Sequence, residues 1–240
     1  MIKLENLTKK YGDFTAVSSL NLEIKKGDIF AFLGPNGAGK TTTIKMMCGL
    51  TSITSGDVLM GGVSIKKDPI GCKKKFALIP DKPYVFEKLR GIEYVEFVAD
   101  LYGIEKKTMQ KRLDRYAHIF GVNSYINNFM ESYSHGMSQK LLITASLVRA
   151  PEVFILDEPM TGLDPKSMKT LSLEFKKLAG EGMTIFMSTH SLDTAEEVCI
   201  SAGILDKGKL AAAGSIKALK KKDKSRNLEN IFFRLTGGGG

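Results

Sequence analysis

The spacing of apolar side chains divides the chain into segments of different period. Near the start, Ile2, Leu4 and Leu7, then Leu20, Leu22 and Ile24, are interleaved with polar positions and predict two strands, each buried on one face. The run Asp28-Ile-Phe-Ala-Phe-Leu33 lacks that interleaving. It is apolar on both faces, the pattern of a strand enclosed within a parallel sheet. A glycine-rich turn from Gly34 to Gly39 follows, and then a helix over Lys40 to Leu50. Short apolar runs recur at Phe76 to Ile79, Val153 to Leu156, Met183 to Met187 and Ala202 to Leu205, most of them separated by helix-compatible stretches. Strands alternating with helices predict an α/β core.

Between Arg90 and Ala150 the period changes. Ile92, Val95, Phe97, Val98 and Leu101 recur at helical spacing, as do Leu113, Tyr116, Ile119 and Phe120, and a third helix is predicted from Met137 to Val148. The pattern reads as a helical insertion between two α/β halves. Residues 1–84 form the first part of the core with its β portion, 85–150 the insertion, and 151–214 the second part of the core. Residues 215–240 form a basic tail, helical from Ser215 to Leu235, with Gly237 to Gly240 as a flexible end. No internal repeat is visible.

Composition narrows the class. With 43% hydrophobic residues the chain can fill an ordinary globular core. Its 35 Lys and Arg against 26 Asp and Glu give a formal charge of +9. That sign suits a polyphosphate, a nucleic acid or an anionic membrane face, and does not choose among them. Cys48, Cys72 and Cys199 stand apart, with no CxxC pair or Cys/His cluster, so a zinc site or disulfide framework is not expected and buried free thiols are. No apolar block opens the chain, so no signal peptide is expected. The longest apolar stretch, Leu141 to Leu156, is broken by Arg149, Pro151 and Glu152, and falls short of the about 20 residues that cross a bilayer. A role at a membrane would need a partner that supplies the membrane part.

Candidate chemistry begins at the turn. Gly34-Pro35-Asn36-Gly37-Ala38-Gly39-Lys40-Thr41 fits GxxxxGK[ST] and lies between a predicted strand and a predicted helix. Glycines let backbone amides turn inward around phosphates, and the helix that follows directs its positive end at the anion. Lys40 would reach the β- and γ-phosphates, and the Thr41 hydroxyl would serve Mg²⁺. Average glycine usage would give this pattern by chance in roughly one chain in a hundred of this length. The motif points to a nucleoside triphosphate and is silent on what the energy drives.

Val153-Phe-Ile-Leu-Asp157-Glu158-Pro159 sets two carboxylates at the C-terminal end of a buried strand, where ligands of open α/β sheets bind. Asp157 would hold Mg²⁺ and Glu158 would act as general base on the attacking water. A solvated acidic turn ends many strands in the same way. The phosphate loop in the same chain decides for catalysis, because phosphoryl transfer needs both a metal ligand and a water-positioning group.

With these motifs in this order, the chain resembles the nucleotide-binding domain of ABC transporters over nearly all of its length. That resemblance implies a P-loop NTPase core of RecA-like α/β fold, an N-terminal antiparallel β portion and an inserted α-helical subdomain. It implies ATP and Mg²⁺ as cofactors. Tyr11 matches the aromatic residue that stacks on adenine, and Gly34 through Thr42 the loop that binds the phosphates. Tyr133-Ser134-His135-Gly136-Met137 stands where the family carries its signature, commonly LSGGQ; Ser134 and Gly136 match and would contact the γ-phosphate held by a second subunit. The SHGM form is similar to that of bacterial export-type members. Thr161-Gly162-Leu163-Asp164-Pro165 resembles the D-loop, and Asp164 before Pro165 also reads as a helix N-cap. His190 matches the switch histidine that contacts the γ-phosphate and Glu158, which makes Lys40, Glu158 and His190 the expected catalytic set. Asp81 takes the place of the family's glutamine near Mg²⁺, so the expected metal residues are Thr41, Asp157 and Asp81, with Asp81 acting through water.

The resemblance implies two ATPase subunits, alike or different, coupled to a separate transmembrane permease at the cytoplasmic side of the membrane. The aromatic-rich segment Pro83-Tyr84-Val85-Phe86 either faces that permease or packs within the insertion. The alternative is a soluble ATPase of the same family acting on nucleic acid, ribosomes or iron–sulfur assembly, supported by the +9 charge and Lys220-Lys221-Lys222. Against it stand the single cassette and short insertion, and lysine runs are more often solvated helix faces.

Overall fold

The computed structural model describes residues 1–82, 84–223 and 227–237. Strands β1 (Ile2–Tyr11) and β2 (Phe14–Ile24) form a hairpin, with Gly12 supplying the positive φ of 57° at its turn. β3 (Ile29–Leu33) is buried at every position, as its continuous apolar run predicts. After α1 (Lys40–Met47), strands β4 (Ser55–Met60) and β5 (Val63–Ser64) join the hairpin in an antiparallel sheet of order β2-β1-β4-β5.

The larger sheet is completed by β6 (Phe76–Ile79), β7 (Val153–Asp157), β8 (Thr184–Ser188), β9 (Ser201–Asp206) and β10 (Lys209–Ser215). Its order is β10-β9-β3-β8-β7-β6, parallel except for the antiparallel edge strand β10. Alternate residues of these strands feed two apolar layers. Ala31, Leu33, Ala77, Phe154, Leu156 and Met187 face the helical side, whereas Phe30, Phe32, Val153, Ile155 and Phe186 face a layer shared with α1 and the antiparallel sheet. The helical side carries α3 (Gly91–Leu101), α4 (Lys106–Phe120), α5 (His135–Val148), α6 (Pro165–Gly180), α7 (Leu192–Val198) and α9 (Leu228–Thr236). α3 to α5 fall between β6 and β7 in the chain, so the inserted helical subdomain is present.

Several elements differ from their sequence-based expectation. α1 stops at Met47 rather than Leu50, and α5 starts at His135 rather than Met137 because the Ser134 hydroxyl caps it, accepting from the Met137 amide at 3.3 Å. The basic tail is two helices, α8 (Ile216–Asp223) and α9, the second started by the Asn227 side chain accepting from Asn230 N–H. Gly238 to Gly240, with Pro83 and residues 224–226, lie outside the described residues. β4, β5, β10 and the short helix α2 (Pro69–Lys75) have no counterpart in the apolar pattern. α2 buries only Cys72, and β10 is an edge strand of small residues. All three cysteines are buried and free. Among the described residues no helix is long and apolar enough to cross a membrane.

Phe186 anchors the layer that the parallel sheet shares with α1 and the antiparallel sheet. It is fully buried, stacked on Phe30 and tilted against Phe32, with ring centroids 5.9 and 5.2 Å away. Phe186→Ala is expected to lower unfolding free energy by about 3–5 kcal/mol, read as a fall in the urea midpoint at unchanged slope.

Candidate nucleotide site

Four neighbouring strands of the parallel sheet end at one edge, and each delivers part of the site. β3 leads into the Gly34–Gly39 turn, β8 into His190, β7 into Asp157 and Glu158, and β6 into Asp81. A cleft of about 800 Å³ opens there, walled by Tyr11, Phe14, Ala16, Asn36, Gly37, Gly39, Lys40, Thr41, Thr42, Asp81, Asp157, Glu158, Thr161 and His190. Most of the residues predicted from sequence therefore meet in one place. Gly34, Pro35 and Ala38 form the frame of the loop behind that wall. The carbonyls of Gly34 and Pro35 accept from Lys40 Nζ at 2.5 and 3.0 Å, and Ala38 is locked by its amide to Pro35 O and its carbonyl to Gly208 N–H.

The loop geometry requires glycine at its last position. Gly39 has φ +105°, and a Cβ there would lie 2.6 Å from the Ala16 carbonyl oxygen. Gly39 caps α1 without a side chain, so the first-turn amides of α1 stay free of intrahelical partners beside the cleft residues Thr41 and Thr42. With Lys40 they form a positive, amide-lined concavity suited to phosphate. Burial lowers the affinity of Lys40 for its proton, and the nearby Glu158 and Asp157 carboxylates oppose that shift.

On the acidic side one residue holds the Asp157 carboxylate and the Glu158 backbone. Ser188, at the end of β8, donates its hydroxyl to Asp157 Oδ1, and its backbone carbonyl accepts from Glu158 N–H at 3.1 Å. Asp157 is 8% exposed, and that burial raises its carboxyl above the ordinary carboxylate range. Glu158 sits in the left-handed region at φ +51°, a strained conformation for a side-chain-bearing residue. The turn that follows, closed by Thr161 N–H to Glu158 O at 3.2 Å, directs its carboxylate to His190, whose Nδ1 lies 2.9 Å from Oε1.

Ser134 and Gly136 do not line this cleft. Gly136 and its neighbour His135 sit instead against the 161–165 segment. A Cβ on Gly136 would lie 2.8 Å from the Gly162 carbonyl oxygen, and one on Gly162 would meet the His135 ring at 2.5 Å. Lys140 reaches Asp164 at 3.5 Å, and the buried Gln139 amide donates to the Pro159 carbonyl at 3.4 Å. The two segments thus form one block continuous with Glu158. Asp164 also caps α6, as its place before Pro165 predicts, and hydrogen bonds from Ser167 hold its carboxyl down to about 2.

The magnesium question turns on donors. Thr41, Asp157 and Asp81 bring hard oxygens to the same cleft, a set that fits Mg²⁺ sharing its shell with phosphates and water. Among the described residues no group of three or more His, Cys, Asp or Glu is gathered into a protein cage. Phe14, Ala16 and Thr161 were not anticipated as wall residues. Phe14 had a usable signal, since it pairs with Tyr11 across the hairpin turn.

A strand–glycine loop–helix with an acidic pair at the end of β7, one strand removed from β3 in the same parallel sheet, defines a P-loop nucleotide-binding domain. The family model described as ABC transporter matches residues 17–161, well over half of the chain. The chain is 32% identical over 238 residues to the ABC-type transporter ATP-binding protein EcsA of Bacillus subtilis, covering 98% of this chain and 96% of that protein. This chain therefore belongs to the ABC transporter ATP-binding family, whose ATP-binding domains bind and hydrolyse ATP. It is also 33% identical to the probable multidrug ABC transporter ATP-binding protein YbhF of Escherichia coli, over 98% of this chain; the chain spans 41% of that relative's length. A solved structure of the ATP-binding subunit of an ABC transporter superposes with a TM-score of 0.94 at 29% identity, covering 98% of this chain and 99% of that one.

One consequence follows from the burial of Asp157. Its raised affinity for a proton means that its ionised form destabilises the folded, nucleotide-free chain, and that stability falls as pH rises above the ordinary carboxylate pKa of 3.8. Asp157→Asn is therefore expected to raise the urea midpoint at pH 7 without nucleotide or magnesium, with the gap to the parent closing as pH falls below 3.8. A lower midpoint at pH 7 would contradict this reading.

Proposed function

We propose that this chain is the ATP-hydrolysing motor of a transporter whose membrane passage belongs to a separate permease. The observation that carries the reading is the division of the site. The triphosphate-binding wall and the acidic pair meet in one cleft, while Ser134 and Gly136 stand outside it on the block that begins at Glu158. A second subunit, alike or different, would turn its Ser134 hydroxyl and Gly136 amide, at the N-terminus of α5, onto the γ-phosphate of the first.

Within one subunit, Gly34 to Thr42 wrap the phosphates and Lys40 leaves its loop carbonyls to meet the β- and γ-oxygens. Tyr11 stacks on the base. Thr41 and Asp157, with Asp81 as an outer partner, would hold Mg²⁺, which would neutralise charge on the phosphates. Glu158 takes the proton of the attacking water, and His190, at 2.9 Å, fixes the carboxylate and faces the γ-phosphate. The division into a core of residues 1–84 and 151–214, an insertion of 85–150 and a tail of 215–240 serves this arrangement by setting signature and phosphate loop on different parts.

The insertion, with Tyr84 just before it, offers a surface for the permease. Tyr84, Phe97 and Leu101 are 84%, 48% and 66% exposed. Phe86 is shared between two roles, packing on Tyr94 and Phe97 with centroids 5.8 and 6.1 Å away while staying 47% exposed. Docking there would hold the chain at the cytoplasmic face of the membrane. The SHGM signature, Asp81 and the multidrug relative support export as the direction. Action on nucleic acid is less well supported, because Lys220 is engaged with Glu196 at 2.5 Å and the family's transporter relatives match along the chain.

Glu158→Gln is expected to keep ATP binding, lose turnover by at least about a hundredfold, and elute as a dimer in ATP on size-exclusion chromatography. Hydrolysis at the parent rate would remove Glu158 from the general-base role. Asp81→Gln is expected to preserve or raise basal phosphate release; a collapse in that assay would show that the carboxylate itself is required.

A further inference from the structure

Lys9 is a lysine where β1 turns toward the nucleotide cleft, and it is only 6% exposed. Among the described residues no carboxylate pairs with it. Its ammonium instead donates to the Ser52 carbonyl at 2.8 Å and the Ser52 hydroxyl at 2.9 Å, and its Nζ lies 4.7 Å from the centroid of the Tyr11 ring. Three N–H groups thus meet two oxygens and one π-face, which is what a buried ammonium needs to be satisfied. Ser52 lies in the loop just beyond α1, the helix that starts at the phosphate turn. Hydrogen bonds from Thr54 N–H to Thr8 O and from Lys10 N–H to the Thr54 hydroxyl fix that loop against β1.

We infer that Lys9 is a positioning residue for base recognition: it clamps the Tyr11 ring from the protein side and polarises it as a stacking platform for the purine. The inference rests on the reading of Tyr11 as the base-stacking residue and deepens it. Because Lys9 is buried, the part of the ring it covers faces the protein, and the remaining half of Tyr11 is exposed on the cleft wall. A cation on one face draws π density toward itself and leaves the outer face poorer in electrons, which favours stacking with an electron-rich purine. The same contact fixes the ring's angle before nucleotide arrives, so less side-chain freedom is lost on binding. Since Ser52 follows α1, the base platform is tethered to the element that grips the phosphates.

The test is a double-mutant cycle by calorimetry on the full chain, with ATP and with inorganic triphosphate as probes. Lys9→Met is expected to weaken ATP binding roughly fivefold and to leave triphosphate binding unchanged, with Lys9→Arg recovering most of the ATP affinity. In a Tyr11→Ala background Lys9→Met should have no further effect on ATP. Ser52→Ala keeps the charge and loosens its tether, so a smaller loss confined to ATP is expected even if Lys9→Met folds poorly. Equal losses for ATP and triphosphate, or an undiminished Lys9→Met effect in the Tyr11→Ala background, would overturn the role of Lys9 while leaving Tyr11 as the base residue. Unchanged ATP affinity in Tyr11→Ala itself would overturn both.

Discussion

The parallel pairing of β3, β8 and β7 is the constraint on which the site depends. Their backbone hydrogen bonds set Phe32 opposite Ser188 and Ser188 opposite Asp157, so three strand ends fall level at one edge of the sheet. No side chain has to reach far. The phosphate turn, the acidic pair and His190 are neighbours because the strands are neighbours, and the strands hold register because both of their faces are buried. Ser188 shows how local that dependence is, since one residue of β8 binds the side chain of Asp157 and the amide of Glu158.

Beyond that edge the backbone stores strain where chemistry is assigned. Glu158 is held at φ +51° by its amide to β8 and by the turn to Thr161. The turn runs without interruption into the segment that touches Gly136 so closely that a methyl group would collide with a carbonyl oxygen. In the proposed dimer, a movement of the general-base candidate would therefore be a movement of the face offered to a second subunit. Packing of small residues, rather than a flexible linker, connects the two.

Much of this was legible in the chain because its strongest signals are periodic or punctuated. The doubly apolar runs of β3, β7 and β8, the glycine turn and the Asp157–Glu158 pair are patterns that burial and phosphate chemistry enforce at fixed spacing. The Asp164–Pro165 cap was readable for the same reason. Elements with weak apolar content escaped: β5 has two residues, and α2 buries one cysteine. The split of the tail into α8 and α9 depends on Asn227 as a cap, a cue hidden within a lysine-rich run. Lys9 and Ser188 were invisible in another way. Their partners, Ser52 and Asp157, lie 43 and 31 residues away, and no local pattern announces such contacts.

The central claim is that a triphosphate gripped by one chain's phosphate loop is closed over by Ser134 and Gly136 of another. A crystal structure of the Glu158→Gln protein with ATP and magnesium tests it most directly. The account predicts the γ-phosphate between Lys40 of one subunit and the α5 N-terminus of its partner. Nucleotide seated elsewhere, or a filled loop with the α5 N-terminus of every neighbouring copy turned away, would contradict it.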